Sequence, residues 1–183
     1  MANALIVIDV QESFLQQPSW EQISDPEIAI RVAELVESAR VRGDQVIWVL
    51  HSAPGSEGPF DPERGLVRLV DDLVPRSDEP VIVKTSHNAF TTTNLGQLLI
   101  HSGIDTVRLA GIRTEQCVET TARVASDLGY SVEVVIDATA THPLPLADGS
   151  GVLDAATVIE RTAAALSGRF ALVTTLAELG MPA

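Results

Sequence analysis

The amino-acid sequence predicts an α/β fold, a three-layer α/β/α sandwich with a parallel sheet in the middle. Two observations support this prediction. Short apolar runs rich in β-branched residues alternate along the chain with segments of helical periodicity, as in repeated βα units. The apolar runs are hydrophobic throughout rather than at every second position, which is typical of parallel strands covered by helices on both faces.

The predicted elements follow one another in regular order. Six strands are predicted, at residues 5–10, 45–50, 81–84, 106–112, 131–136 and 170–174. Apolar residues three and four apart predict helices over residues 28–39, 95–99, 118–128 and 152–166, of which the first three end near Gly43, Gly103 and Gly129. Residues 65–73 are predicted to form one further short helix. Since there is no internal repeat and no linker, residues 1–183 are expected to form a single domain.

Two long segments rich in proline and glycine follow predicted strands. They are SAPGSEGPFDPERG at residues 52–65 and THPLPLADGSG at residues 141–151. Segments that follow parallel strands lie at the carboxyl edge of the sheet, where open α/β folds bind their ligands. We therefore expect the functional site at this edge.

Composition narrows the class of function. The formal net charge is −13 and lysine and arginine form no cluster, so nucleic acid and anionic membranes are not expected as partners. No apolar run approaches the roughly 20 residues of a membrane-spanning helix, and the N-terminus lacks the pattern of a signal peptide. A lone cysteine cannot form an internal disulfide, which fits a reducing cytoplasm. Neither glycine-rich nucleotide-binding motif occurs at a strand-to-helix turn, so a nucleotide is not expected as the ligand. We expect a cytoplasmic protein that acts on a different small molecule.

Three chemically reactive residues lie where predicted strands end. Asp9 closes the apolar run LIVID, Lys84 closes VIVK, and Cys117, the only cysteine, follows the fourth strand. A buried charge is costly unless it is paired, so Asp9 and Lys84 each need a partner. Because parallel strands end at the same edge, the three side chains are expected to meet there. They form either a nucleophilic site or a structural ion pair beside a buried core cysteine.

The position of Cys117 favours the nucleophilic interpretation. Thr114 is expected to cap the helix after the fourth strand, which makes Cys117 the third residue of its first turn. The positive end of a helix and a nearby ammonium both favour the thiolate, whereas free cysteine, with a pKa of ~8.5, is mostly protonated at pH 7. Asp9 is then placed to take the thiol proton and to return it to a leaving group.

Three segments of the chain have a recognisable order and spacing: LIVIDVQESF, VIVKTSHNAF and LAGIRTEQCVETTARVASDLGYSVEVVIDATA. They resemble the isochorismatase-like cysteine hydrolases, a family that includes nicotinamidases, N-carbamoylsarcosine amidases and ureidoacrylate amidases. The resemblance implies a six-stranded parallel sheet of order 3-2-1-4-5-6. It implies Asp9 as general base, Lys84 as its electrostatic partner and Cys117 as nucleophile. It also implies a cis peptide at Ile112–Arg113, which turns the Arg113 N–H towards the oxyanion alongside that of Cys117.

Departures from the family pattern guide the choice of reaction. Metal-binding nicotinamidases carry Asp-x-His after the second strand, whereas this chain has Val49 and His51 there. One histidine rarely holds a divalent ion, so we expect no metal and no cofactor. Isochorismatases that cleave a vinyl ether typically lack the cysteine, so Cys117 favours hydrolysis of the C–N bond of a small amide, ureido or carbamoyl compound. Vinyl-ether hydrolysis and a non-catalytic, ligand-binding role are the alternatives.

Several side chains are candidate substrate contacts. Phe14, Phe60 and Phe90 are expected either to wall the pocket or to pack in the core, and His51 is a further candidate. The Arg113 side chain is expected to bind an acidic substrate or to face solvent or a neighbouring subunit. Family members are often dimers or tetramers, and the apolar loop HPLPL suits an interface, so a homodimer or homotetramer is expected.

Overall fold

The computed structural model describes residues 2–181 and has the predicted α/β/α architecture. Its strands are β1 (Ala2–Ile8), β2 (Gln45–His51), β3 (Val81–Lys84), β4 (Ile104–Ile112), β5 (Ser131–Ala140), β6 (Leu144–Pro145), β7 (Val152–Leu153) and β8 (Leu172–Thr174). Its helices are α1 (Glu12–Leu15), α2 (Ile28–Arg42), α3 (Leu95–His101), α4 (Glu119–Asp127) and α5 (Ala155–Leu166). Short 3₁₀ helices lie at Pro18–Gln22 and Pro62–Arg64, and a π-helical turn lies at Thr114–Val118.

The main sheet confirms the predicted strand order. Its strands lie side by side in the order β3-β2-β1-β4-β5-β8, and every neighbouring pair is parallel. Since β8 is the sixth strand of this sheet along the chain, the order equals the expected 3-2-1-4-5-6. The short strands β6 and β7 form a separate antiparallel pair in the second proline-rich segment, where the sequence pattern predicts none.

The central strands of the sheet are buried on both faces, as their continuously apolar sequences predict, whereas the edge strands β3 and β8 expose Val81, Val83 and Leu172. Along β1, Leu5 and Val7 belong to the core on the α2 side, whereas Ile6 and Ile8 belong to the core on the side of α3, α4 and α5. All four side chains are inaccessible to solvent. The carboxyl end of β1, and the residue that follows it, therefore lie deep inside the molecule.

The prediction of a helix over residues 65–73 is wrong. These residues run in an irregular, partly extended path beside α1, where Leu69 pairs with Gln11 in an isolated β-bridge. The carbonyl groups of Arg68 and Leu66 accept hydrogen bonds from the first N–H groups of α1, at 2.9 and 3.1 Å. The helical spacing of apolar residues is misleading here. The segment buries apolar side chains without being a helix, because its backbone carbonyl groups accept hydrogen bonds from the free N–H groups at the start of α1.

The remaining helices begin and end for local reasons. α5 begins at Ala155 rather than at residue 152, because Val152 pairs with β6 and the Asp154 carboxylate caps the helix through the Thr157 N–H at 2.9 Å. α2, with 15 residues the longest described helix, ends at Gly43 in the left-handed conformation (φ 76°) that glycine adopts readily. Among the described residues, no helix has both the length and the apolar character needed to cross a bilayer.

Candidate active site

Asp9 lies immediately after the central strand β1, and the backbone aims it into the site. Its φ of 56° is in the left-handed region, which aspartate tolerates better than most non-glycine residues. Its N–H donates to the Val49 carbonyl at 2.8 Å, which holds the turn against β2. On the other side, β4 approaches so closely at Gly111 that a Cβ there would lie 1.9 Å from the Ile8 carbonyl oxygen. The Asp9 carboxylate is fully buried between these strands.

Lys84 closes β3 and is the polar centre of the site. Its side chain is completely buried, and its Nζ donates to Asp9 Oδ2 at 2.8 Å and to Cys117 Sγ at 3.3 Å. A third contact joins Nζ to Nδ1 of His51, its register partner on β2, at 3.4 Å. The structure thus brings together Asp9, Lys84 and Cys117 at the carboxyl edge, where their positions at strand ends place them.

Cys117 is held in the turn between β4 and α4. The expectation that Thr114 caps this helix is wrong, because the Thr114 hydroxyl donates to Thr139 Oγ1 at 2.9 Å instead. The turn is π-helical, so Cys117 is its fourth residue rather than the third of an α-helix. The peptide bond between Ile112 and Arg113 is cis, at the position that the resemblance implies. The Thr121 hydroxyl donates to the Cys117 carbonyl at 2.6 Å.

Burial governs the protonation of the thiol. Desolvation and, to a smaller extent, the negative charge of Asp9 raise the pKa of Cys117 to about 12, because the opposing effect of Lys84 compensates only in part. Lys84 does favour the thiolate, as expected, but its effect on the pKa is smaller than that of burial. Burial also raises the pKa of Asp9, against the opposing effect of Lys84. Among the described residues Asp9 Oδ1 has no hydrogen-bond partner, so the site holds a buried proton acceptor beside a protonated thiol.

A cavity of about 370 Å³ opens onto Asp9 and Cys117. Four of the five candidate substrate contacts line it: Phe14, His51, Phe60 and Arg113. The rings of Phe14 and Phe60 meet edge to face, with centroids 4.9 Å apart, and His51 packs on Phe60 at 5.6 Å. The cavity therefore combines an aromatic wall with a polar floor, as ligand sites generally do.

The fifth candidate, Phe90, requires a correction. Its ring stacks on Tyr130, with centroids 6.0 Å apart, and packs against the core on the α3 side rather than lining the cavity. The sequence analysis also missed His87 and Gln116, which do line the cavity. Both residues are close in sequence to the reactive residues, which could have indicated their position: His87 follows Lys84 by three positions, and Gln116 directly precedes Cys117.

Metal ligation finds little support in the described part of the chain. Within residues 2–181, no three or more histidine, cysteine, aspartate or glutamate side chains form a group able to hold a metal ion. His51, which matches part of the nicotinamidase ligand pattern, has the Lys84 ammonium 3.4 Å from its Nδ1. The absence of a metal remains a prediction from the ligand pattern.

Comparisons with known proteins identify relatives of the chain. The curated relatives include the isochorismatase family protein YrdC of Bacillus subtilis, 30% identical over 97% of this chain and 94% of the relative. Streptothricin hydrolase of Streptomyces noursei is 34% identical over 80% of this chain, which spans 58% of that relative. The ureidoacrylate amidohydrolase RutB of Methylorubrum extorquens is 28% identical over 75% of this chain and 69% of the relative.

A solved structure and a family model complete the comparison. The crystal structure of an isochorismatase from Pseudomonas putida KT2440 superimposes with a TM-score of 0.86 at 33% identity, covering 96% of this chain and 89% of that one. The family model described as the isochorismatase domain matches residues 3–177. The chain therefore belongs to the isochorismatase family of hydrolases.

Proposed function

We propose that the protein is a cytoplasmic cysteine hydrolase that cleaves the C–N bond of a small amide, ureido or carbamoyl compound through a thioester. The observation that carries this proposal is the contact of one buried ammonium with both a carboxylate and a thiol at the floor of a cavity. The amidohydrolase activity named for one relative supports a C–N bond as the target. No cofactor takes part in the proposed reaction.

The first half-reaction forms the thioester. As the Cys117 sulfur attacks the substrate carbonyl carbon, its proton moves to Asp9, and the carbonyl π electrons move to the oxygen. Proton transfer concerted with attack suits a thiol whose pKa is about 12, because no thiolate has to accumulate first. The tetrahedral intermediate then collapses, the C–N bond breaks, and Asp9 gives its proton to the departing nitrogen.

The second half-reaction releases the acid. A water molecule attacks the thioester carbonyl and loses a proton to Asp9, and the C–S bond breaks. Asp9 then returns its proton to the sulfur, which restores the resting site. Lys84 holds the negative charge of Asp9 in place throughout, and the backbone N–H groups of Arg113 and Cys117 are proposed to bind the oxyanion.

Oligomerisation belongs to the same proposal. Leu146, in the loop of the β6–β7 hairpin, and Val152, in β7, are 43% and 64% exposed, which suits burial against a second copy of the chain. A homodimer or homotetramer is expected, and light scattering at micromolar concentration measures it. A monomer contradicts this part of the proposal.

Two alternatives predict different products. A vinyl-ether hydrolase would release an enol-derived ketone rather than ammonia or an amine. A non-catalytic binding protein would retain its ligand unchanged, and its Cys117 would show no selective reaction with an electrophile that mimics an amide.

A screen of small primary amides, ureido acids and carbamoyl amino acids for release of ammonia tests the proposal. Cys117→Ala serves as the control, and it should remove all enzyme-dependent release. Mass spectrometry of wild-type protein quenched during turnover should show an acyl adduct on Cys117. Ammonia release that persists in Cys117→Ala would contradict the mechanism.

A further inference from the structure

The contacts of Lys84 determine the tautomer of His51. An ammonium group has three N–H donors and no acceptor, and here its three neighbours are Asp9 Oδ2, Cys117 Sγ and His51 Nδ1. Since Lys84 can only donate, Nδ1 of His51 must accept, and the single proton of a neutral imidazole must then reside on Nε2. Burial and, to a smaller extent, the neighbouring Lys84 and His87 lower the pKa of His51 to about 4, so the ring is neutral at pH 7.

The main chain of His51 is also held in place. The Gln11 side-chain amide bonds to both backbone groups of His51, accepting from its N–H at 2.7 Å and donating to its carbonyl at 3.0 Å. A further donation from Gln11 to Ser13 Oγ at 2.9 Å fixes the orientation of that amide. The Phe60 ring packs edge to face with the imidazole, which further limits its freedom to turn.

One polar atom of His51 has no partner in this arrangement. Of the two ring nitrogens of His51, only Nδ1 is in a hydrogen bond within residues 2–181, and the residue lines the cavity next to Asp9 and Cys117. A neutral N–H donor in a fixed position beside a reactive group is suited to binding a substrate oxygen.

We propose that His51 is a specificity-determining residue that donates a hydrogen bond from Nε2 to an oxygen acceptor on the substrate, with Lys84 fixing the tautomer. This inference rests on the proposed function and adds a substrate class to it, amides that carry a second carbonyl or carboxylate oxygen besides the scissile group. A substrate without that oxygen leaves the N–H unpaired on binding, and such a loss discriminates strongly between close analogues.

The tautomer is tested first, without any turnover. Protein labelled with ¹⁵N-histidine gives long-range ¹H–¹⁵N spectra in which Nε2–H and Nδ1–H tautomers differ, and the His51→Asn variant identifies the His51 signals. We expect the Nε2–H form at pH 7. A ring protonated on Nδ1, or on both nitrogens, would overturn the inference.

The donor role is tested by binding to Cys117→Ala protein with two uncharged probes that differ in one group. The probes are 4-oxopentanamide, which carries a ketone oxygen, and pentanamide, which does not. We expect 4-oxopentanamide to bind at least about tenfold more tightly and to shift the Nε2 resonance, which pentanamide should not do. Equal affinities, or an unmoved Nε2 resonance, would overturn the inference.

The His51→Asn substitution separates donation from a structural role. The side-chain oxygen of the introduced asparagine can still accept from Lys84 as Nδ1 does, but the shorter side chain presents no donor at the position of Nε2. In Cys117→Ala/His51→Asn protein the two probes should bind with about equal affinity. A preserved preference for 4-oxopentanamide would show that another group binds the ketone oxygen. Ammonia release is measured separately, so failure of hydrolysis contradicts the proposed function while leaving these binding results as the test of His51.

Discussion

Replacing Lys84 by methionine should destabilise the protein strongly. Lys84 and Asp9 are both fully buried, and their charged atoms are 2.8 Å apart. Removing only the ammonium leaves a carboxylate enclosed in the core, and breaking a buried pair in this way costs about 3–5 kcal/mol. The free energy of unfolding of a small domain is about 5–15 kcal/mol in total, so Lys84→Met should remain folded but lose a large part of its stability.

The double variant Asp9→Asn/Lys84→Met separates stability from catalysis. The double variant has neither charge, so no buried charge is left uncompensated. Replacing both members of a buried ion pair by uncharged residues often causes no loss of stability. We expect its free energy of unfolding to return most of the way towards the wild-type value while ammonia release stays absent. The single variant Asp9→Asn should fold and lose ~10²–10⁴-fold in rate, which is the usual contribution of a positioned acid–base group.

Urea unfolding provides the measurement, with the fluorescence of the fully buried Trp48 as probe. For a slope of roughly 2 kcal/mol per molar urea, Lys84→Met should unfold at about 2 M less urea than wild type. The reasoning is refuted if Lys84→Met is as stable as wild type, because the carboxylate then needs no cation. It is refuted equally if Asp9→Asn keeps near-normal turnover, in which case Asp9 and Lys84 form only a structural pair.

Three further substitutions have defined outcomes. Cys117→Ser should lose nearly as much ammonia release as Cys117→Ala, because a hydroxyl is a far weaker acid than a thiol and no histidine within residues 2–181 hydrogen-bonds to the Cys117 sulfur. Substantial activity of the serine variant would contradict nucleophilic attack by the sulfur. Burial and Arg113 lower the pKa of His142, which is 2% exposed, to about 4. The contribution of its neutral ring to stability is therefore complete above pH 6.5 and should decline by about 3 kcal/mol as the pH falls to 4. In urea unfolding at a series of pH values, His142→Phe should make the loss of stability at acidic pH smaller, and the exposed control His101→Gln should not. Arg113 lines the cavity, and within residues 2–181 no carboxylate lies in ion-pair distance of it. Arg113→Gln should therefore raise the KM for succinamate about tenfold more than the KM for butanamide, which lacks the carboxylate. An equal effect on both KM values would show that the guanidinium does not bind the substrate.

The fold and the meeting of the reactive residues could be predicted because both follow from local patterns. Continuous apolar runs identify strands that are buried on both faces, and parallel strands must end at one edge. A charged residue at the end of such a run, as at Asp9 and Lys84, therefore indicates a partner at that edge. The strand order came from the family resemblance, since apolar patterns alone do not specify which strands are neighbours.

The features that could not be predicted depend on tertiary surroundings. Apolar spacing at residues 65–73 fits a helix as well as an extended segment, and only the free N–H groups of α1 decide between them. Thr114 has the chemistry of a helix cap, but Thr139 of the neighbouring strand takes its hydroxyl. The pKa of Cys117 is raised although Lys84 lowers it as expected, because the cost of desolvation depends on how completely the fold encloses the thiol, which the sequence does not show.

In the proposed mechanism, the hydrogen bonds around Lys84 allow a thiol that is mostly protonated to act as a nucleophile. Within the described residues, the ammonium has Asp9, Cys117 and His51 as its three neighbours. Asp9 Oδ1 has no hydrogen-bond partner within residues 2–181, and Nε2 of His51 is the donor that we propose for the substrate. The buried thiol resists ionisation by itself, which protects it from oxidants and unspecific electrophiles. A carbonyl compound that binds beside the sulfur supplies the electrophile, and Asp9 then takes the proton as the C–S bond forms. If the substrate also has an oxygen acceptor for Nε2, its binding and its reaction depend on the same ammonium group, so selectivity and activation are coupled through Lys84.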